Sequence, residues 1–266
     1  MKKATTLYLT GGGPGTFAAL RRHFRAAVAE VAAGAVGSLQ GRGNSAAARR
    51  QGPLVAYVGA ASNDDAGFFA MIKAEIEATQ AVRLRPAKLA SPRAPASAAR
   101  ALLEECDMIF VSGGDVEHGM RVLRDKDMVR PLRGLARAGK PMFGISAGSL
   151  MLARDWVRFP QDDAAKAELF PCLGIAPLHV DAHSEEDGWG ELRVLVHLLR
   201  RRGDPAPIGH GLTRKGGLRL VVGRDGAEMH PIGTPIPRIV VRRGKVVDGS
   251  PLLPPKAREK PRSRSR

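Results

Sequence analysis

Short apolar runs alternate with amphipathic stretches through most of the chain. The first run is Leu7-Tyr8-Leu9-Thr10, followed by the turn Gly11-Gly12-Gly13-Pro14-Gly15. Residues 16–33 then place Phe17, Leu20, Phe24, Val28 and Val31 at helical spacing. A second run, Leu54-Val55-Ala56-Tyr57-Val58, ends at Gly59-Ala60-Ala61-Ser62-Asn63. Asp64 and Asp65 lead a helix predicted over 65–79, where acids suit the positive end of the helix dipole. A third strand is expected near residues 82–86, a Pro/Ala/Ser loop over 91–97 and a helix over 97–106. Asp107-Met108-Ile109-Phe110-Val111-Ser112 reads as a buried strand running into Gly113-Gly114-Asp115. Helices are predicted over 116–124 and 128–138, and a strand over 140–146.

Strands that alternate with helices, each ending in a Gly or Ser turn, imply an α/β fold in three layers. The sheet should be mostly parallel, with helices on both faces. Ligands of such sheets sit at the C-terminal ends of the strands. The turns at 11–15, 61–63 and 113–115 and residue Ser146 should therefore share one rim.

The second half of the chain is less regular. A helix is expected over 147–154, irregular backbone over 158–166, and an extended stretch over 173–180 ending at Asp181-Ala182-His183. Residues 188–202 form an amphipathic helix with Trp189, Leu192, Leu195, Val196 and Leu199 on its inner side. Residues 218–222 and 239–247 alternate and turn at Arg224-Asp225-Gly226 and Arg243-Gly244, as C-terminal hairpin strands completing the sheet. One domain is expected over 1–253, interrupted by a flexible Gly/Ala/Arg loop at 34–53, with a disordered basic tail over 254–266.

Charge changes this picture little. The net charge is +16, of which the tail from Lys256 to Arg266 supplies +5. Aromatic residues are only 5% and do not interleave with the basic segments, which argues against single-strand nucleic-acid recognition. Non-specific attraction to polyanions, chiefly through the tail, is the expected reach of this charge. No apolar run reaches the length of a membrane span, and no cleavable apolar leader precedes the first strand. Cys106 and Cys172 are expected as buried thiols in a reducing cytoplasm. The first glycine turn lacks the third glycine of a dinucleotide fingerprint and contains Pro14, so no cofactor is expected, nor a metal. A homodimer is left open.

The candidate chemistry lies in Gly144-Ile145-Ser146-Ala147-Gly148, which follows an apolar strand and precedes a helix. That is the sequence form of a nucleophile elbow. A sharp strand-to-helix turn strains the residue at the bend and tolerates only small neighbours. Ser146 is then the nucleophile candidate. Oxyanion donors are expected from the N–H of Ala147 and from the 113–115 turn. Of seven histidines, His183 has the best position for a general base, just past a strand end on the expected rim.

These stretches together resemble the dipeptidase E/cyanophycinase family of serine peptidases, whose fold is like that of class I glutamine amidotransferases. The matching motifs are Gly11-Gly12-Gly13, Tyr57 to Ser62, Val111-Ser112-Gly113-Gly114-Asp115, the elbow, and Leu173-Gly174-Ile175 through Asp181-Ala182-His183. The resemblance spans about residues 7–247. It implies Ser146 as nucleophile, His183 as base, an oxyanion hole framed by Gly114 and Ala147, and a small peptide or amide substrate as the partner. Asp115, Asp181 and Glu185 become candidate substrate-binding residues.

The chain departs from that pattern in several places. The late segment in which relatives carry a third catalytic Glu reads Gly209-His210-Gly211-Leu212-Thr213-Arg214, without an acid. The acid that orients His183 is then sought among Asp162, Asp163 and Glu186. Val116 stands where cyanophycinases have Gln, and Glu185-Glu186-Asp187 stand where they have arginines, which points away from cyanophycin. The acidic run offers a counter-charge to a cationic group, or is simply a solvated loop. Three readings compete. The first is a serine hydrolase of peptide or amide bonds, and the second a non-catalytic module binding a small ligand in the same cleft. The third, an α/β-hydrolase esterase, fits poorly because only 37 residues separate Ser146 from His183.

Overall fold

The computed structural model describes residues 4–38, 52–78, 80–224 and 226–255. Its elements run, in order, β1 (Thr5–Thr10), α1 (Phe17–Ser38), β2 (Leu54–Val58), α2 (Ala66–Glu77), β3 (Arg83–Pro86), α3 (Ala96–Glu105) and β4 (Met108–Val111). Then follow α4 (Val116–Asp125), α5 (Val129–Arg137), β5 (Met142–Ile145), α6 (Ala147–Leu152), β6 (Asp155–Arg158), β7 (Glu168–Pro171) and β8 (His179–Ala182). The chain closes with α7 (Gly190–Arg202), β9 (Ile208–Leu212), β10 (Gly217–Val222), β11 (Ala227–Ile232), β12 (Ile236–Arg242) and β13 (Lys245–Leu252).

The central sheet has seven strands in the order β11-β10-β1-β5-β4-β2-β3. The five strands from β1 to β3 in that order are parallel, and β10 and β11 are antiparallel additions at one edge. The two faces are built by the period-2 alternation of strand side chains. On one face, Tyr57 pairs in register with Phe110, Phe110 with Phe143, and Phe143 with Tyr8. Their rings stack in a row, with centroids 5.6, 5.4 and 6.0 Å apart. Such pairs add about 0.5–1.5 kcal/mol each beyond area burial. Leu20, Phe24 and Val28 of α1 and Ile72 and Ile76 of α2 cover this row. The opposite face carries Leu7, Leu9, Ala56, Val58, Ile109, Val111 and Met142 beneath α3, α4, α5 and α6.

The expected three-layer architecture is the observed one, with differences in the second half. The strands over 218–222 do complete the central sheet. The last hairpin does not: β12 and β13 join β9 and β8 in a separate four-stranded sheet, ordered β13-β12-β9-β8. Helix α7 covers that sheet with Leu192, Leu195, Val196 and Leu199. Gly209 and Gly211 explain how it packs. A Cβ at Gly209 would lie 2.5 Å from Leu192 Cδ1, and one at Gly211 2.7 Å from the Trp189 ring. The hairpin β6–β7 was not foreseen, and the helix after the elbow ends at Leu152 rather than near residue 154. Within the 34–53 stretch, α1 continues to Ser38, so its first five residues are helical, and residues 39–51 lie outside the described residues. Most of the basic tail, residues 256–266, lies outside them as well. Among the described residues, no helix is long and apolar enough to cross a membrane.

Candidate active site

The site begins with the bend between β5 and α6. Ser146 has φ 51° and ψ −123°, a conformation that L-residues rarely adopt. The surrounding structure holds it there. Ser146 N–H donates to Thr10 O at 2.9 Å, and Ser149 N–H donates to Ser146 O at 2.8 Å. The buried Ser149 hydroxyl donates to Thr10 O and accepts from Thr10 N–H, both at 2.9 Å. Thr10 Oγ1 donates in turn to Gly144 O at 2.9 Å. These bonds lock the end of β1 to the first turn of α6. Gly148 lets that helix approach β4, because a Cβ there would stand 2.1 Å from Val111 O.

The turn after β4 closes over the bend. An added Cβ at Gly113 would lie 3.3 Å from Ser146 Cβ. Gly114 has φ +138°, and a Cβ there would meet Ala61 O at 2.1 Å. The turn is thus held between Ser146 and the turn after β2. Neither Gly114 N–H nor Ala147 N–H donates to a backbone carbonyl among the described residues. The first amides of a helix have no intrahelical acceptor, which leaves the N–H of Ala147 available to an incoming oxygen.

His183 comes from the second sheet. It follows β8, with φ 50°, and its N–H donates to Leu212 O at 2.8 Å. Its Nε2 lies 2.8 Å from Ser146 Oγ. With the ring proton on Nδ1, the Ser146 hydroxyl donates to Nε2. The half-buried imidazole also lies beside the first glycine turn, 4.0 Å from the position a Cβ would take on Gly13. The rim expected from the sequence thus brings together the turns at 11–15, 61–63 and 113–115 with Ser146, and His183 joins them there.

The candidate orienting acids lie elsewhere. Asp162 is exposed on a short 3-10 turn. Asp163 accepts from Ala165 N–H at 2.9 Å and pairs with Lys166. Glu186 pairs with Arg214 at 3.3 Å. None of the three is hydrogen-bonded to His183 among the described residues. The proposed substrate-binding acids are engaged as well. Asp115 caps α4 by accepting from His118 N–H at 2.5 Å, and Glu185 accepts from Arg214 N–H at 2.8 Å. The segment without a late Glu therefore presents Arg214 to the acids that follow His183.

Asp181 is buried beneath the rim. Its Oδ1 accepts from Ala182 N–H at 2.7 Å, and Oδ2 has no partner among the described residues. Burial is the main reason its carboxyl is pushed up to about 6. Glu191 is raised by its own burial, with Asp181 and Asp187 adding repulsion. The other histidines do different work. His179 bonds Asp155 at 3.1 Å within the protein, His23 and His210 are buried, and His197 and His230 are exposed. Both cysteines are buried free thiols. Among the described residues, no group of three or more His, Cys, Asp or Glu side chains is placed to hold a metal ion.

Two features of the site escaped the sequence reading. One is Ser149, whose only signal was its place one residue past the elbow pattern. The other is a cavity of about 350 Å³ opening at Ser146, whose apolar lining comes from α1 and α2.

The architecture is that of an α/β protein with a serine held at a strand-to-helix bend and a histidine against it. Residues 44–203 match the family model of peptidase family S51, and the chain belongs to that family. Among solved structures, a peptidase from an acI-B1 Actinobacterium superposes with a TM-score of 0.62 at 14% identity, covering 92% of this chain and 97% of that one. A putative peptidase E protein from Listeria monocytogenes EGD-e gives 0.58 at 14% identity, covering 86% and 98%. At that identity the likeness is one of fold. Pyridoxal 5'-phosphate synthase subunits PdxT of Bacillus thuringiensis (strain Al Hakam) and Bacillus cereus (strain AH820) are 37% identical over 59 residues. That match covers 22% of this chain and 30% of those proteins.

Proposed function

We propose that the protein is a serine-type hydrolase of peptide or amide bonds, working through an acyl-enzyme on Ser146. The observation that carries this reading is the 2.8 Å contact between Ser146 Oγ and His183 Nε2. His183 takes the hydroxyl proton as Oγ attacks the scissile carbonyl. The N–H groups of Gly114 and Ala147 receive the developing oxyanion. Collapse of the tetrahedral intermediate breaks the C–N bond, and the leaving amine takes the proton from His183. Water then attacks the acyl-enzyme, giving its proton to His183, and the acid product leaves as Ser146 regains its hydrogen.

Family membership supports a peptidase role, and the strained serine supports covalent catalysis, since such backbone conformations cluster at active sites. One observation favours the second reading, a binding module in the same cleft: no carboxylate among the described residues bonds to the imidazole of His183. A fluorophosphonate probe separates the two. The hydrolase reading expects stoichiometric labelling of the wild type and none of Ser146→Ala. An unlabelled wild type would rule against the hydrolase.

A further inference from the structure

The cavity at Ser146 is lined by two groups of residues. Gly113, Gly114, Ile145 and Ser146 form its floor at the bend, and Pro14, Phe17 and Leu20 join Phe68, Met71 and Ile72 on its walls. Its volume, about 350 Å³, falls within the range of small-ligand sites. No charged side chain lines it. The hydroxyl of Thr16, its polar side chain apart from Ser146, already donates to Gly13 O at 2.7 Å. A carboxylate or ammonium held against these walls would find no counter-charge there.

The walls are also unusually open for their composition. Phe17 and Phe68 are only half-buried, and Met71 is 39% exposed. Apolar surface left open beside a reactive group marks a place for an apolar ligand group. The position of the cavity says which part of a substrate this is. A leaving amine must lie within reach of His183, which protonates it. The cavity touches Ser146 and the glycine turn assigned to the oxyanion; on the histidine side it is bordered by Gly13, which lies next to the imidazole, and not by His183 itself. It therefore lies on the acyl side of the scissile bond.

Resting on the hydrolase reading above, we infer that this pocket selects substrates whose scissile carbonyl belongs to a residue with an apolar side chain, such as Leu or Phe. Acidic and basic residues at that position are rejected. Glu185 and Glu186, which Arg214 already engages, and Asp187, which accepts from the amides of Trp189 and Gly190, play no part in that choice.

The test compares kcat/KM for aminoacyl p-nitroanilides of Leu, Phe, Asp and Lys. The expectation is that Leu and Phe exceed Asp and Lys by about tenfold or more, the discrimination typical of an apolar pocket. Met71 sits at the open wall, where a change leaves the core intact. Met71→Asp should lower kcat/KM for Leu and Phe about tenfold and that for Lys much less. A flat profile, or a preference for Asp, overturns the pocket assignment while fluorophosphonate labelling of Ser146 leaves the hydrolase reading standing. A second measurement is independent of turnover: calorimetric titration of Ser146→Ala with leucinamide, phenylalaninamide and aspartic acid α-amide. Tighter binding of the two apolar amides supports the pocket even if no p-nitroanilide is cleaved. Equal or absent binding of all three overturns it.

Discussion

Ser146 Oγ and His183 Nε2 stand 2.8 Å apart, and the two residues reach that contact from different sheets, each with a positive φ. Neither conformation is one an isolated L-residue prefers. The strain at Ser146 is held by hydrogen bonds to Thr10 and Ser149, and that at His183 by its bond to Leu212. If the contact is catalytic, His183→Gln lowers kcat by about 10²–10⁴-fold, the usual contribution of a general base. Fluorophosphonate labelling should slow in parallel. Unchanged labelling kinetics in His183→Gln would contradict the role of base.

Gly114 tests the oxyanion turn. A methyl there would lie 2.1 Å from Ala61 O at a φ of +138°, so Gly114→Ala must displace the turn from its place between Ala61 and Ser146. The expected outcome is a fall in kcat of about 10²-fold or more, as for loss of an oxyanion donor. KM should change little. A variant with wild-type kcat would show that this turn does not serve the oxyanion.

Ser149 tests the scaffold under the bend. Its hydroxyl serves both the N–H and the carbonyl of Thr10 in a fully buried position. Ser149→Ala leaves a buried N–H unpaired, a loss of about 1–3 kcal/mol in unfolding free energy. Urea denaturation measures it, and the midpoint should fall without a change in slope. Because the same bonds hold the bend, labelling of Ser146 should also slow.

Acid sensitivity follows from three buried groups. Burial pushes His23 and His210 down to about 4 and pushes Asp181 up to about 6. A histidine with a depressed folded-state pKa contributes stability that is present above its ordinary value of 6.5 and is lost as pH falls towards 4. Asp181 runs the other way: its contribution is full below the ordinary carboxylate range and is lost as pH rises through about 6. In the window between, the unfolded chain takes up more protons at two histidines and the folded chain more at one aspartate. Each histidine lowers stability by up to about 1.4 kcal/mol per pH unit on acidification, and Asp181 and Glu191, both raised by burial, offset part of that fall. Urea denaturation at pH 7, 6 and 5 checks the slope. Asp181→Asn should make it steeper and raise stability at pH 7 by about 2–3 kcal/mol. A shallower slope in that variant would contradict the assignment.

The central sheet was legible in the sequence because its parallel strands, apart from the edge strand β3, are buried on both faces. Runs such as Leu54-Val55-Ala56-Tyr57-Val58 and Met108-Ile109-Phe110-Val111 carry no polar residue, and each ends in a turn of small or polar residues. The bend at Ser146 was legible for a related reason: a strained turn admits only small neighbours, and that leaves Gly144, Ala147 and Gly148 in the sequence.

What only the tertiary structure decided lies where local pattern carries no information about partners. The last two strands alternate just as well for either sheet, and the choice falls to α7, whose Leu192 needs Gly209 and whose flanking Trp189 needs Gly211. The acids near His183 looked free in one dimension, yet Arg214, 28 residues beyond Glu186, engages Glu185 through its amide and Glu186 through its side chain. The apolar pocket arises where residues 14–20 meet residues 68–72 over Ser146, three stretches that the sequence keeps far apart. Strand burial and turn sterics are written into neighbouring residues. Which loops face one another across a rim depends on how helices and a second sheet pack, and no local window contains that.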